Sequence, residues 1–226
     1  MNTRSDMIRL HHVPWGRSFR VLWLLCEMGT PPDEIIRYRI GDRAMREPGL
    51  MDVSPAGRIP ALEIDGITIF ESGAIVQYLC ETRSDHGFGR GPGDAERVRF
   101  LEAIGFAETQ ASLIEQLNLN HLFLRAPAKP SPTVVKLNTL RLADTLRALE
   151  GMVAGETFLP SGFSGADAML GFNLFAAPYY VRMDPYPRLR AYWAALQARP
   201  AFRQAAEIEG PQAFYARDFY EVPVDG

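Results

Sequence analysis

Two short stretches of the sequence carry residue types that could hold a charged ligand. In the first, Pro60 opens the apolar run 61–64, and a proline there has no amide to donate to a sheet. If the Ile59–Pro60 bond is cis, the backbone of Ile59 turns outward and can pair with an extended peptide. The alternative is an edge-strand proline with no ligand, and the tripeptide alone does not separate the two.

The second stretch, Glu71-Ser72-Gly73, starts a predicted helix directly after an apolar run. A helix N-terminus presents unpaired amides and a partial positive charge, which suit a carboxylate. Ser72 adds a hydroxyl donor, and Glu71 adds an acceptor for an ammonium group. The pair therefore offers contacts for both charges of an α-amino acid head group, although Ser72 could equally be a plain helix cap.

The elements around these stretches alternate between strands and helices. Extended patterns predict strands within 7–13, 34–40, 61–65 and 67–70, and apolar periodicity predicts helices over 19–28 and 71–83. Asp65-Gly66 predicts a hairpin turn. A helical crossover joins parallel strands and a tight turn joins antiparallel ones, so residues 7–83 are predicted to form a mixed α/β sheet domain.

The rest of the chain has a different sequence pattern. Residues 84–93 contain four glycines and a proline, which is typical of a linker. Beyond it, residues 94–226 show no strand pattern, and helices are predicted over roughly 94–124, 133–150, 164–181 and 187–198. This half is predicted to be an all-α bundle, with an aromatic-rich tail from residue 210 packed on it.

Composition excludes several functional classes. The 226 residues carry a net charge of −3, which gives no reason to expect a nucleic-acid or anionic-membrane partner. Cys26 and Cys80 lie in apolar helical patterns without a C-x-x-C motif, so we expect buried free thiols in a reducing compartment. No apolar run reaches the ~20 residues of a membrane span. Because residues 1–6 lack an apolar signal region, a soluble cytoplasmic protein is expected.

The sequences G-R-I-P-A-L (57–62), D-G (65–66) and I-F-E-S-G-A-I-V-Q-Y-L (69–79) together resemble the glutathione-binding motif of the cytosolic glutathione transferase family, in its bacterial type. The resemblance extends from about Met7 to Phe202. It implies a thioredoxin-like N-terminal domain (7–83), a linker (84–93) and an all-helical C-terminal domain (94–226).

The resemblance also implies roles for single residues. Ile59 would pair through its backbone with the cysteinyl part of glutathione, beside cis-Pro60. Glu71 and Ser72 would hold the γ-glutamyl head group. Arg58 stands where relatives often carry lysine and could reach the glycyl carboxylate, although a solvated surface arginine is the alternative.

The group that activates the thiol is harder to assign. The family usually uses a Tyr, Ser or Cys side chain near the start of the first helix, and residues 11–20 contain neither Tyr nor Cys. Gly16 occupies the position where similar relatives carry a serine. Ser18 is therefore the predicted catalytic hydroxyl, with a helix cap as its alternative role, and Trp15, Arg17 and His12 are the other candidates.

In the second half, F-S-G-A-D-A-M-L (163–170) is similar to the family's helix-capping signature, with Ser164 and Asp167 in structural rather than catalytic roles. The predicted co-substrate pocket is lined by Trp15 and by one side of the 94–124 helix, namely Phe106, Gln110 and Leu113. No third ligand at zinc spacing accompanies His11 and His12, so no metal is expected.

The function implied is transfer of the glutathione thiolate to a small apolar electrophile, as in detoxification, by a homodimer that needs no metal. The missing Tyr and Cys leave two alternatives open. One is a glutathione-dependent disulfide oxidoreductase or peroxidase of the same fold. The other is a binding module of this fold with little turnover.

Overall fold

A computed structural model describes residues 7–222 of the chain. Residues 1–6, on which the expectation of no signal region was based, lie outside the described part. The described chain forms two compact units. The first contains the residues up to Asp94 together with Ala198–Phe214, and the second contains Ala95–Gln197 together with the segment from Tyr215.

The first unit is built on a four-stranded mixed sheet. Its strands are β1 (Arg9–His12), β2 (Glu34–Arg37), β3 (Ala61–Ile64) and β4 (Ile67–Phe70), in the order β2-β1-β3-β4. β1 runs parallel to β2 and antiparallel to β3, and β3 is antiparallel to β4. This arrangement and the helices that follow confirm the predicted thioredoxin-like domain.

Helices connect these strands where the apolar periodicity predicts them. They are α1 (Phe19–Glu27), the short α2 (Leu50–Val53) and α3 (Ser72–Thr82), with 3-10 turns at Arg43–Arg46 and Ser84–His86. α1 ends before Gly29, whose φ of 69° is the left-handed conformation that favours glycine after a helix.

The β3–β4 hairpin forms as the Asp65-Gly66 pair predicts. Both residues have positive φ, 54° and 73°, which matches the handedness of two-residue hairpin turns. The turn aligns Ile64 with Ile67 and fixes the register of the two strands up to Ala61 and Phe70.

A helix from the far end of the chain completes this unit. Residues 200–209, beyond the last helix predicted from sequence, form α8 (Pro200–Glu209). Phe202 packs edge-on against Phe19 and Trp23 of α1, with ring centroids 5.5 Å and 5.1 Å apart. Ahead of it, Arg199 forms a bidentate ion pair with Glu27 at 2.6 and 2.7 Å. Whereas the sequence assigns 94–226 to one helical domain, the structure groups 198–214 with the first unit.

The second unit is a helical bundle, as predicted. Its helices are α4 (Arg97–Asn118), α5 (Pro132–Met152), α6 (Gly165–Ala176) and α7 (Pro187–Ala198). A π-helical turn, Leu119–Phe123, extends α4, and a 3-10 turn, Ala177–Tyr179, follows α6. The tail packs on this bundle through stacking of Tyr215 on Tyr179, with centroids 3.8 Å apart. None of the helices in residues 7–222 is long and apolar enough to cross a bilayer.

The start of α6 is the capping box that the sequence predicts at Ser164 and Asp167. The carboxylate of Asp167 is fully buried and accepts four hydrogen bonds, each from a group that has no solvent alternative. The donors are Phe158 N–H (2.7 Å), Ser164 N–H (2.8 Å), Ser164 Oγ (3.0 Å) and Tyr192 OH (2.7 Å). The side chain thus ties the start of α6 to α7 and to the preceding loop.

We expect Asp167→Ala to lower the free energy of unfolding by about 3–5 kcal/mol, because it leaves several buried donors without an acceptor. The measurement is urea unfolding followed by circular dichroism. Asp144→Ala is the matched control: that carboxylate is exposed and pairs with the exposed Arg147, so a change within about 0.5 kcal/mol is expected. Equal effects of the two variants would contradict the structural role of Asp167.

Candidate functional site

The strand register brings the residues singled out in the sequence to one end of the sheet. Ala61 pairs with His11 on one side and with Phe70 on the other. The start of β3 therefore lies beside the end of β1 and the end of β4. Three segments begin at these points: the loop 13–18, the Ile59–Pro60 approach to β3, and the Glu71–Ser72 start of α3.

The approach to β3 has the backbone features of a peptide-binding edge. The Ile59–Pro60 bond is cis. Within the described residues, neither backbone group of Ile59 forms a hydrogen bond with another residue. Gly57 precedes it with φ 59°, and a Cβ there would lie 2.6 Å from the Met45 carbonyl oxygen, so only glycine fits. Arg58 is exposed, and its backbone N–H donates to Ser54 Oγ at 3.2 Å.

The start of α3 is open at its N-terminal end. Glu71 occupies the N-cap position, and its side chain forms no capping hydrogen bond. Its φ of 72° is in a region that a residue with a Cβ rarely adopts, which costs about 1–3 kcal/mol and is typical of ligand-binding turns. The first-turn amides and the dipole of this 11-residue helix suit an anion.

A buried arginine lies behind this helix start. Arg20 of α1 is fully buried, and its Nη1 donates to Ser72 Oγ at 2.9 Å. A hydroxyl that accepts such a bond still has its own proton to donate. The guanidinium adds a positive charge to that of the helix dipole, so both terms favour a carboxylate near Ser72.

The loop between β1 and α1 is a tight turn that uses its polar groups internally. Gly16 N–H donates to the Val13 carbonyl at 2.9 Å. Ser18 is fully buried, and its hydroxyl donates to the Val13 carbonyl (3.2 Å) and accepts from the Val13 amide (3.1 Å). Ser18 stands at the N-cap position of α1 without a side-chain capping bond. The predicted catalytic hydroxyl is therefore engaged with the backbone of its own loop.

Two further candidates in this loop contact the end of α8. Trp15 donates its backbone N–H to Glu209 Oε2 at 3.1 Å and its indole Nε1–H to the Gly210 carbonyl at 3.0 Å. His12 Nε2 lies 3.0 Å from the same carboxylate oxygen. Sequence reasoning missed Glu209, because nothing near residue 209 indicates that it meets residues almost 200 positions earlier.

Residues 16–82 match the sequence profile described as "Glutathione S-transferase, N-terminal domain". The chain is also 29% identical to glutathione S-transferase 3 of Schizosaccharomyces pombe, over 89% of this chain and 87% of the relative. These matches support a member of the cytosolic glutathione S-transferase family.

Solved structures agree with this assignment. A glutathione transferase from Methylococcus capsulatus is 26% identical with a TM-score of 0.76, covering 90% of this chain and 98% of its own. A sphingomonad glutathione S-transferase complexed with glutathione is 27% identical with a TM-score of 0.73, covering 89% of this chain and 98% of its own.

Two further titratable residues of the first unit, His11 and Cys26, are not among the predicted site residues. His11 lies between Tyr38 and Glu63, 3.0 Å from each. Burial acts to raise the pKa of Glu63, but hydrogen bonds from His11 and Arg9 outweigh it and hold that pKa below its usual value. The two histidines thus point to separate carboxylates. Burial also raises the pKa of the Cys26 thiol to about 12, so Cys26 is no thiolate at neutral pH.

Of the residues predicted to line the co-substrate pocket, Trp15 lies in the first unit and the other three lie on α4 in the second unit. Phe106 and Leu113 are half-buried, whereas Gln110 is fully buried. The amide of Gln110 donates to Thr145 (3.3 Å) and accepts from Asn173 (3.1 Å). These bonds commit its polar atoms to the interior of the bundle. The assignment of the pocket to this side of α4 stays a prediction.

Proposed function

We propose that this chain is a glutathione transferase that conjugates the glutathione thiolate to small apolar electrophiles. The observation that carries the proposal is the meeting of three segments at one sheet end: the β1–α1 loop, the unpaired backbone of Ile59, and the open start of α3. Each segment offers hydrogen-bonding or charged groups that suit a different part of one peptide ligand.

The binding roles follow from the chemistry of each segment. Glutathione carries a free α-amino acid head group, and its carboxylate would meet the α3 amides, the Ser72 hydroxyl and the charge of Arg20. Its ammonium would meet Glu71. The cysteinyl backbone would pair with Ile59, which adds the ligand as an extra strand. Arg58, exposed beside Ile59, would reach the glycyl carboxylate.

The thiol would then lie at the β1–α1 loop, where a donor has to favour the thiolate. Three of the candidate donors already bond within the protein: His12 through Nε2, Trp15 through its two N–H groups and Ser18 through its hydroxyl. Arg17 is half-buried in the same loop, and its guanidinium can stabilise a thiolate by positive charge as well as by hydrogen bonds. We therefore propose Arg17, rather than Ser18, as the principal donor to the sulfur.

In the proposed reaction, the thiolate sulfur attacks an electrophilic carbon, a carbon–sulfur bond forms, and a leaving group such as chloride departs with its electron pair. The thiol proton goes to solvent when the thiolate forms. The protein contributes proximity and a lowered thiol pKa. The main alternative is disulfide or peroxide reduction, in which two glutathione molecules are joined as one oxidised glutathione and their electrons and protons convert a mixed disulfide to a thiol or a peroxide to an alcohol and water.

We also propose that the protein works in the cytoplasm as a homodimer without a metal. The bundle presents apolar side chains to solvent along α5, at Val134, Leu137 and Leu140, and on α4 at Val98 and Leu101. Exposed apolar stripes of this kind are typical of protein interfaces. A second copy of the chain is the occupant that the family membership favours.

Ser72→Ala is expected to weaken glutathione binding about 10- to 150-fold, because removing one partner of a charge-assisted hydrogen bond costs about 1.5–3 kcal/mol. Isothermal titration calorimetry measures the affinity. Ser84→Ala, at an exposed serine of the same unit, is the control and should leave affinity unchanged. An unaltered affinity in folded Ser72→Ala would refute the placement of the head group.

Arg17→Met is expected to raise the pKa of the bound thiol by about one unit, because a positive donor no longer stabilises the thiolate. Ser18→Ala should leave that pKa unchanged and instead reduce stability by about 1–3 kcal/mol, since it deprives Val13 of its partner. Ultraviolet absorbance of the thiolate, recorded as a function of pH, measures this pKa.

Turnover of 1-chloro-2,4-dinitrobenzene, hydroxyethyl disulfide and cumene hydroperoxide distinguishes transferase, disulfide reductase and peroxidase activity. Saturable glutathione binding with none of these turnovers would favour the binding module.

For the homodimer, light scattering should give about twice the chain mass of 25.3 kDa. The double variant Leu137→Glu/Leu140→Glu should give the single-chain mass, because burying two carboxylates in an apolar interface is strongly unfavourable. Gln197→Glu on the exposed side of α7 adds one charge as a control and should leave the mass of the assembly unchanged. A double variant that retained the doubled mass would exclude this surface as the interface.

A further inference from the structure

The last residue of α8 places a buried carboxylate against the β1–α1 loop. The Glu209 side chain has no exposed surface, and a single oxygen, Oε2, meets both His12 Nε2 at 3.0 Å and Trp15 N–H at 3.1 Å. The Trp15 amide donates to Oε2, and the His12 ring lies within hydrogen-bond distance of the same atom. One oxygen atom thus holds the end of β1 and the loop that follows it.

The next residue extends this contact. The Gly210 carbonyl accepts the indole N–H of Trp15 at 3.0 Å, so Trp15 is held through its backbone and its side chain by two consecutive residues. The φ of Trp15 is 53°, a left-handed conformation that costs a residue with a Cβ about 1 kcal/mol or more. The two bonds from the end of α8 offset that cost and keep the loop in this conformation.

A buried glutamate at position 209 does not stabilise α8. The C-terminal end of a helix carries a partial negative charge, which disfavours a carboxylate there. Burial of the charge adds several kcal/mol of desolvation cost. In addition, Glu209 Oε1 and His12 Nδ1 are buried and have no hydrogen-bond partner in residues 7–222. Buried polar atoms left in this state are rare in proteins, and each one calls for an explanation, of which a functional role is one.

We propose that Glu209 is a positioning residue for the thiol site, which holds the β1–α1 loop through Trp15 and His12 in the conformation that meets the glutathione sulfur. This inference rests on the function proposed above. Glu209 itself touches neither glutathione nor the electrophile in this proposal. Its effect is on the placement of the donor in residues 13–18, and a displacement of about 1 Å there can reduce turnover about 100-fold.

Two variants of Glu209 separate positioning from folding. Glu209→Met fills similar volume without an acceptor and leaves the Trp15 donor unpaired, so it is measured at a temperature at which circular dichroism shows it to be folded. We expect kcat with 1-chloro-2,4-dinitrobenzene to fall about 10- to 100-fold while glutathione affinity changes less than about threefold. Glu209→Gln keeps an acceptor for Trp15 N–H and should restore kcat to within about threefold of the unaltered protein. Glu207→Ala, exposed one half-turn earlier on α8, is the control.

A second readout does not depend on turnover. Amide hydrogen exchange of residues 13–18 should be faster in Glu209→Met and unchanged in Glu209→Gln and Glu207→Ala. If Glu209→Met retains both kcat and slow exchange, or if kcat and affinity fall together, the inference is overturned. Failure of the unaltered protein to bind glutathione in calorimetry would instead overturn the proposed function, and the exchange measurement would still decide whether Glu209 holds the loop.

Discussion

The pairing of Ala61 with both His11 and Phe70 is the constraint on which the candidate site depends. A one-residue slip of β3 would turn its buried side chains towards the opposite face of the sheet, so burial of Leu62 and Ile64 holds this register. Once it is fixed, the end of β1, the start of β3 and the end of β4 have to lie side by side. The three segments of the candidate site are then brought together by the register of the sheet alone.

Arg20 connects this sheet end to the helices behind it. Its guanidinium is buried beneath α3 and bonds to Ser72, so α1 supplies charge to a site whose amides come from α3. The same helix α1 is held on its other side by α8, through Phe202 and the Arg199–Glu27 ion pair. A residue at the C-terminal end of α8 can therefore affect the loop that leads into α1, which is the basis of the role inferred for Glu209.

Sequence signals within a few residues were sufficient to predict several of these features. The Asp65-Gly66 turn, the helix start at Ser72 and the Ser164–Asp167 box are each encoded within a few residues, and each formed as predicted. The failures share one physical cause, which is separation along the chain. The membership of α8 in the first unit and the contact of Glu209 with Trp15 depend on packing between residues almost 200 positions apart. Hydrophobic periodicity shows that α8 has an apolar side but does not show what that side covers.

The glycine at position 16 bears on whether the chain is an enzyme or a binding module without catalytic activity. A Cβ at this position would lie 2.9 Å from the Val13 carbonyl oxygen, the atom that accepts the Gly16 amide and the Ser18 hydroxyl. A serine at position 16 would therefore require the whole turn to shift, because the obstructing atom belongs to the backbone. Gly16 is part of a different loop geometry, which Glu209 and Gly210 hold in place, and is not simply an active-site serine that has been deleted. A chain that had merely lost its activating residue would not need a buried carboxylate from α8 against the same loop, and this favours the proposed enzyme with another donor over a binding module.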